Sequence, residues 1–201
     1  MATLNSNASS SSSSSLSPTL EASRFLHTPH YCEENVYMLC KNLSEDGIAK
    51  SDSSDLFVVF ISNEKKQASS FRFISIWGFL ADGVILWDYH VICVQNFKYG
   101  KGLFRDFRVF RIVHAPIFLR NFASDRRHMK DSDGNWNSPP PSYDVIVAQD
   151  GTVHNLNEYM EMSSADVVKT IGADTVETVL AQKLGVLVSE TQLEELFSLI
   201  S

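Results

Sequence analysis

The sequence predicts a single α+β domain: one helix, then an antiparallel sheet, then further helices. Three observations lead there. Apolar residues recur at helical spacing from Cys32 onward. A short unbroken apolar run and a longer alternating stretch follow it. The last third carries three helix-start signals in succession. A chain of 201 residues, 44% of them hydrophobic, suits one well-buried core and is marginal for two.

The elements take the following order. Residues 1–24 read as a disordered tail, Ser-rich and containing the unbroken run Ser9 to Ser15. The domain then spans 25–201. Cys32, Val36, Leu39, Cys40 and Leu43 line one face of a helix, with Glu33 and Glu34 in its first turn where the helix dipole favours acids. Leu56 to Ile61 (LFVVFI) predicts a buried strand, and Ser62 to Gln67 a polar turn. From Val84 to Val94, Ile85, Trp87, Tyr89, Val91 and Cys93 alternate with Leu86, Asp88, His90 and Ile92, which predicts a strand with Asp88 and His90 on one face. Phe107 to Val113 predicts another strand, and Val145 to Ala148 a short one. Ser124 to Tyr143 reads as irregular, with Asp133-Gly134 and three consecutive prolines. Asn155 with Glu158, Asp174 with Glu177, and Thr191 with Glu194 each read as a capping pair opening a helix, the second closed by Gly185.

Composition excludes several classes of function. A net charge of −7 argues against nucleic acid as a partner, because neutralising phosphates needs clustered Lys and Arg. The densest basic run, Arg126, Arg127 and Lys130, has Asp125 and Asp131 beside it and reads as a solvated or structural loop. No apolar run approaches the roughly 18 residues a membrane span needs, and no secretory signal is evident. Three cysteines without a signal predict reduced thiols in the cytoplasm or nucleus. With no CxxC pair and scattered His residues, a structural zinc site is not expected; no cofactor is expected either.

Cys32 stands at the predicted start of a helix, where unpaired backbone N–H groups and the dipole favour a thiolate nucleophile. Two readings stand for it: a nucleophile, or the first core residue of the helix face, whose pKa the neighbouring glutamates would raise. His90, mid-strand among apolar neighbours, is either a core histidine or the base a Cys nucleophile needs. The order helix Cys, then strand His, is that of papain-like enzymes.

The segments HYCEENVY (30–37), FISNEKKQ (60–67), WDYHVI (87–92), NFASDRRHMK (121–130) and GNW followed by PPP (134–141) resemble the protein N-terminal glutamine amidohydrolase family. They occur in the family's order over nearly the whole chain beyond the tail. The resemblance implies a papain-like or transglutaminase-like single domain with an N-terminal nucleophile helix, and a monomeric, metal-free enzyme. It implies Cys32 as nucleophile and His90 as base. The expected substrates are proteins or peptides with N-terminal Gln, converted to Glu with release of ammonia; such Glu then receives arginine in the N-degron pathway. Recognition of the free α-ammonium calls for an acceptor. Glu33 adjoins the nucleophile and is the candidate; the alternative is a first-turn acid favoured by the dipole alone.

The chain also departs from the family. Members continue from the histidine strand into one carrying Asp-Leu-Asp, whose Asp orients the imidazole. Here Gln95 is followed by NFKYGKGLFRDF, and a few dozen family residues are missing between Gln95 and Phe107. Asp88 and Asp106 are the possible substitutes. Residues 68–80 carry aromatics where a polar loop is expected. The competing expectations are a catalytically impaired splice or gene-model variant that at most binds Gln N-termini, and a Cys–His peptidase or acyltransferase.

Overall fold

Apolar side chains spaced i, i+4 and i+7 wind into α1 (Cys32–Glu45), which buries Val36, Cys40 and Leu43. Its N-terminal end sets down Cys32 beside the sheet. The computed structural model describes residues 25–62, 89–95 and 109–200. The expected tail, the turn after Ser62, residues 68–80, Asp88, Asp106 and the junction between Gln95 and Phe107 lie outside the described residues.

The apolar run forms β1 (Leu56–Ser62), buried along its whole length. It pairs antiparallel with both β2 (His90–Gln95) and β3 (Val109–His114). A further strand, β4 (Val186–Val188), adds antiparallel to β3, giving the order β2-β1-β3-β4. The sequence reading missed β4, three residues too short to show a period.

β1 is apolar on both faces because helices cover both. On one side, Leu56, Val58 and Phe60 pack with α1, with Phe118 of α2 (Ala115–Asn121), and with Leu156 and Tyr159 of α3 (Leu156–Met160). On the other, Phe57, Val59 and Ile61 pack with Val179 of α4 (Ala173–Ala181) and with Leu193, Leu196 and Phe197 of α5 (Glu190–Ile200). The architecture is α+β, one domain with an open antiparallel sheet between two helical layers. Buried Arg111 of β3 ties these parts together by donating to the carbonyls of Tyr159, Glu161 and Leu184. Among the described residues no helix is long and apolar enough to cross a membrane.

The three capping pairs resolve differently. Asn155 precedes α3, but its side chain does not cap it; the amide accepts from Ala123 N–H at 2.9 Å and donates to Asn121 C=O at 2.7 Å, closing the end of α2 instead. α4 starts one residue before Asp174, with Gly172 at its cap. Gly185 lies beyond the helix end in a turn with φ 55°, where a Cβ would sit 1.8 Å from the Ile112 carbonyl oxygen. α5 starts before Thr191, and the pair at its start is Ser189 with Gln192, whose Oε1 accepts from Ser189 N–H and Oγ–H, each at 3.0 Å. Val145–Ala148 reduces to a single bridge between Ile146 and Ser124.

Candidate active site

The chain enters α1 through a fixed loop. Asn35 clamps it from inside the helix, its amide accepting from Thr28 N–H at 2.9 Å and donating to Thr28 C=O at 2.8 Å. His30 takes a left-handed backbone (φ 70°), uncommon for a residue with a Cβ. Tyr31 is fully buried and its hydroxyl donates to the Ser138 carbonyl at 3.1 Å. These contacts hold Cys32 as the first residue of α1. There the first-turn N–H groups have no helical acceptor and can receive a developing oxyanion.

The sulfur lies against a carboxylate. The Cys32 thiol faces Glu33 Oε2 at 3.5 Å, and the Tyr89 hydroxyl donates to the same oxygen at 2.7 Å. Burial, then the Glu33 charge and its hydrogen bond, push the thiol well above the usual range; the Val91 backbone and Tyr89 pull the other way. The Cys32 side chain is therefore held as a thiol rather than a thiolate. Burial and the nearby Cys32 and Glu33 raise Tyr89 well above an ordinary phenol, so it stays a proton donor.

The two first-turn glutamates are both fully buried. Glu34 meets Arg126 squarely: Nε lies 3.1 Å from each carboxylate oxygen and Nη2 3.0 Å from Oε2. The same guanidinium donates to the carbonyls of Pro141, Tyr143 and Asp144, and lies over the Tyr143 ring. Arg126 itself has a left-handed backbone (φ 64°) leading into the 3₁₀ turn Arg127–Met129. That turn brings His128 to Glu33, with Nε2 3.3 Å from Oε1. The basic run is thus structural at Arg126. Arg127 pairs with Asp125, and Lys130 lies over the Trp136 ring.

Of the residues singled out in the sequence, Cys32 and Glu33 come together. His90 pairs with Ile61 in the β1–β2 ladder, where alternation puts it on the face of Ile92 and Val94, which pack toward α4 and α5. Val91 and Cys93 take the α1 face, where Cys93 Sγ lies 3.6 Å from Cys40 Sγ. Burial pushes the His90 imidazole down to about 4, which keeps it neutral near pH 7. Tyr89 and His128 belong to the site and were given no role in the sequence reading. Both lie in quoted blocks, and Tyr89 alternates with His90, so the face opposite His90 was the available signal.

The sequence model of a family described as N-terminal glutamine amidase matches residues 27–107 and 103–197. A protein N-terminal glutamine amidohydrolase of Arabidopsis thaliana is 49% identical over 214 residues, covering 89% of this chain and 94% of the relative. One from Oryza sativa subsp. indica is 42% identical, covering 89% and 90%. One from Homo sapiens is 36% identical, covering 66% and 76%.

Proposed function

The chain belongs to the N-terminal glutamine amidase family, and we propose that it hydrolyses the side-chain amide of an N-terminal glutamine to give glutamate and ammonia. The observation that carries this reading is the thiol at the first residue of a helix beside a buried carboxylate. One group can attack an amide carbon while the other receives an α-ammonium one residue's length away.

The steps follow from the groups. The Cys32 thiol loses its proton and the sulfur adds to the amide carbon, with the N–H groups of the helix start facing the oxyanion. The C–N bond breaks, ammonia leaves with a proton, and a thioester forms. Water then cleaves the thioester, releasing the glutamate side chain and restoring the thiol. His90 is assigned the proton transfers on the strength of the WDYHVI block, and its neutral form near pH 7 is the form that accepts a proton. This assignment requires the ring to leave the Ile92 face and approach Cys32 past Val91. Glu33 is assigned the substrate α-ammonium. The papain-like relation of helix Cys to strand His belongs to the same proposal, as does a shortened segment before Phe107. The family match falling in two pieces, and an Arabidopsis alignment longer than the chain, support the shortening.

The test is to incubate the protein with a peptide beginning in Gln and read mass and ammonia. A gain of about one mass unit is the chemistry of amide-to-acid conversion. Cys32→Ala should abolish it. His90→Asn should slow it by about 10²–10⁴, the usual worth of a positioned acid–base group. Absence of product at high enzyme concentration would overturn the activity, and full turnover by His90→Asn would reassign the base.

A further inference from the structure

Glu33 Oε1 is a fully buried carboxylate oxygen without a hydrogen-bond donor among the described residues. Its near neighbour is His128, yet at 3.3 Å the pair lacks hydrogen-bond alignment, and neither ring nitrogen of His128 has a hydrogen-bond partner among the described residues. Three orphaned polar atoms around one point are costly to bury and mark a place built for another group. Oε2, by contrast, is held by the Tyr89 hydroxyl at 2.7 Å. The Glu33 side chain has 0% exposure and His128 has 21%. Among the described residues, His128 is the group facing Oε1, and its partly exposed ring can swing toward solvent to admit a cation there.

From this geometry we infer that His128 is a specificity-determining gate over the ammonium site: neutral, it yields Oε1 to the substrate's α-ammonium; protonated, it holds Oε1 itself and repels the substrate. The inference rests on the reading of Glu33 as the ammonium acceptor. Its sign is fixed by Coulomb's law, since an imidazolium attracts the carboxylate and opposes a second cation at the same oxygen.

Among the described residues, the other charged and titratable groups near His128 have partners of their own. On α1, Glu33 faces the ring and Glu34 is taken by Arg126. Cys32 and Tyr89 lie across Glu33. On its own segment, Asp125 is shared by Arg127 and His154, and Lys130 lies over Trp136. His154 stacks on His128 with ring centroids 6.0 Å apart, and its Nδ1 lies 3.1 Å from Asp125 Oδ1. His154 is thus the other imidazole that a pH experiment must separate.

The experiment measures binding rather than turnover, using full-length Cys32→Ala protein and calorimetry with a Gln-initial peptide and its N-acetylated form. Between about pH 5.5 and pH 7.5 the peptide amine is mostly charged and gains charge on acidification, so its own titration cannot weaken binding; imidazole is the side chain that ordinarily titrates in that window. The Gln peptide should bind at pH 7.5, the acetylated one at least about tenfold more weakly, and affinity for the first should fall about tenfold on acidification. In His128→Asn or His128→Gln, whichever folds by circular dichroism, the fall should shrink to less than about twofold, while His154→Gln keeps the full fall. Equal binding of the two peptides, or unchanged affinity in Glu33→Gln, overturns the acceptor reading and the gate with it. Weakened binding in Glu33→Gln with the full acid fall retained in the His128 variants overturns the gate alone. A fall abolished by His154→Gln does the same.

Discussion

Glu33 and Glu34 are adjacent in sequence, share one helical turn and are equally buried, yet their surroundings are opposite. Glu34 is saturated by a guanidinium that is itself saturated by three carbonyls. Glu33 has one oxygen satisfied and the other facing an imidazole without alignment. A complete buried network rigidifies its surroundings, whereas a partly satisfied one stores an unmet demand. The first pair also serves the second. Arg126, anchored on Glu34, sets the left-handed entry to the 3₁₀ turn that carries His128 to Glu33.

The largest effect comes from breaking the complete pair. Arg126→Met leaves Glu34 buried without a counter-charge and should destabilise the protein by about 3–5 kcal/mol in urea unfolding. Adding Glu34→Gln should recover part of the loss, because the uncompensated charge is then gone. If Arg126→Met unfolds at the wild-type midpoint, the pair does not anchor the loop.

This contrast between neighbours was not legible in the sequence. Periodicity revealed α1 and the unbroken run revealed β1, because each pattern reports which faces an element buries. Cys32 and Glu33 were legible as a thiol and an acid at a helix start. Which glutamate would meet an arginine depended on a loop far along the chain, and nothing local in DRRHMK says that Arg126 turns inward and Arg127 outward. The same limit explains Asn155, whose capping pattern was correct in composition while its amide served a different helix. Alternation told that Tyr89 and His90 face opposite ways, but not which face α1 covers. That choice was made by the packing of Val91 and Cys93 under α1.

An intermediate effect comes from the satisfied oxygen of Glu33. Tyr89→Phe removes a 2.7 Å hydrogen bond to a buried carboxylate and should cost about 2 kcal/mol, near the middle of the range for bonds to charged groups. Urea unfolding of the variant near pH 7 checks this. A cost equal to that of Arg126→Met would erase the distinction between the two glutamates.

The smallest effect on stability belongs to Glu33→Gln, and it is the most informative. Glutamine keeps an oxygen for the Tyr89 hydroxyl and offers an N–H₂ where Oε1 lacked a donor, so the change should stay within about 1 kcal/mol. The chemistry should move far more. Glu33 raises the Cys32 thiol through its charge and its hydrogen bond, second only to burial. Without that charge the thiolate forms at lower pH, while burial still holds the thiol above its ordinary value. The rate of Cys32 alkylation by iodoacetamide, followed against pH with Cys32→Ala as the blank, should therefore rise at lower pH in Glu33→Gln than in the wild type. Substrate affinity should fall in the same variant if Glu33 receives the α-ammonium, as proposed. A nucleophile made easier to ionise in an enzyme that holds its substrate less well is the signature of one carboxylate serving both; an unshifted alkylation profile would separate the two roles.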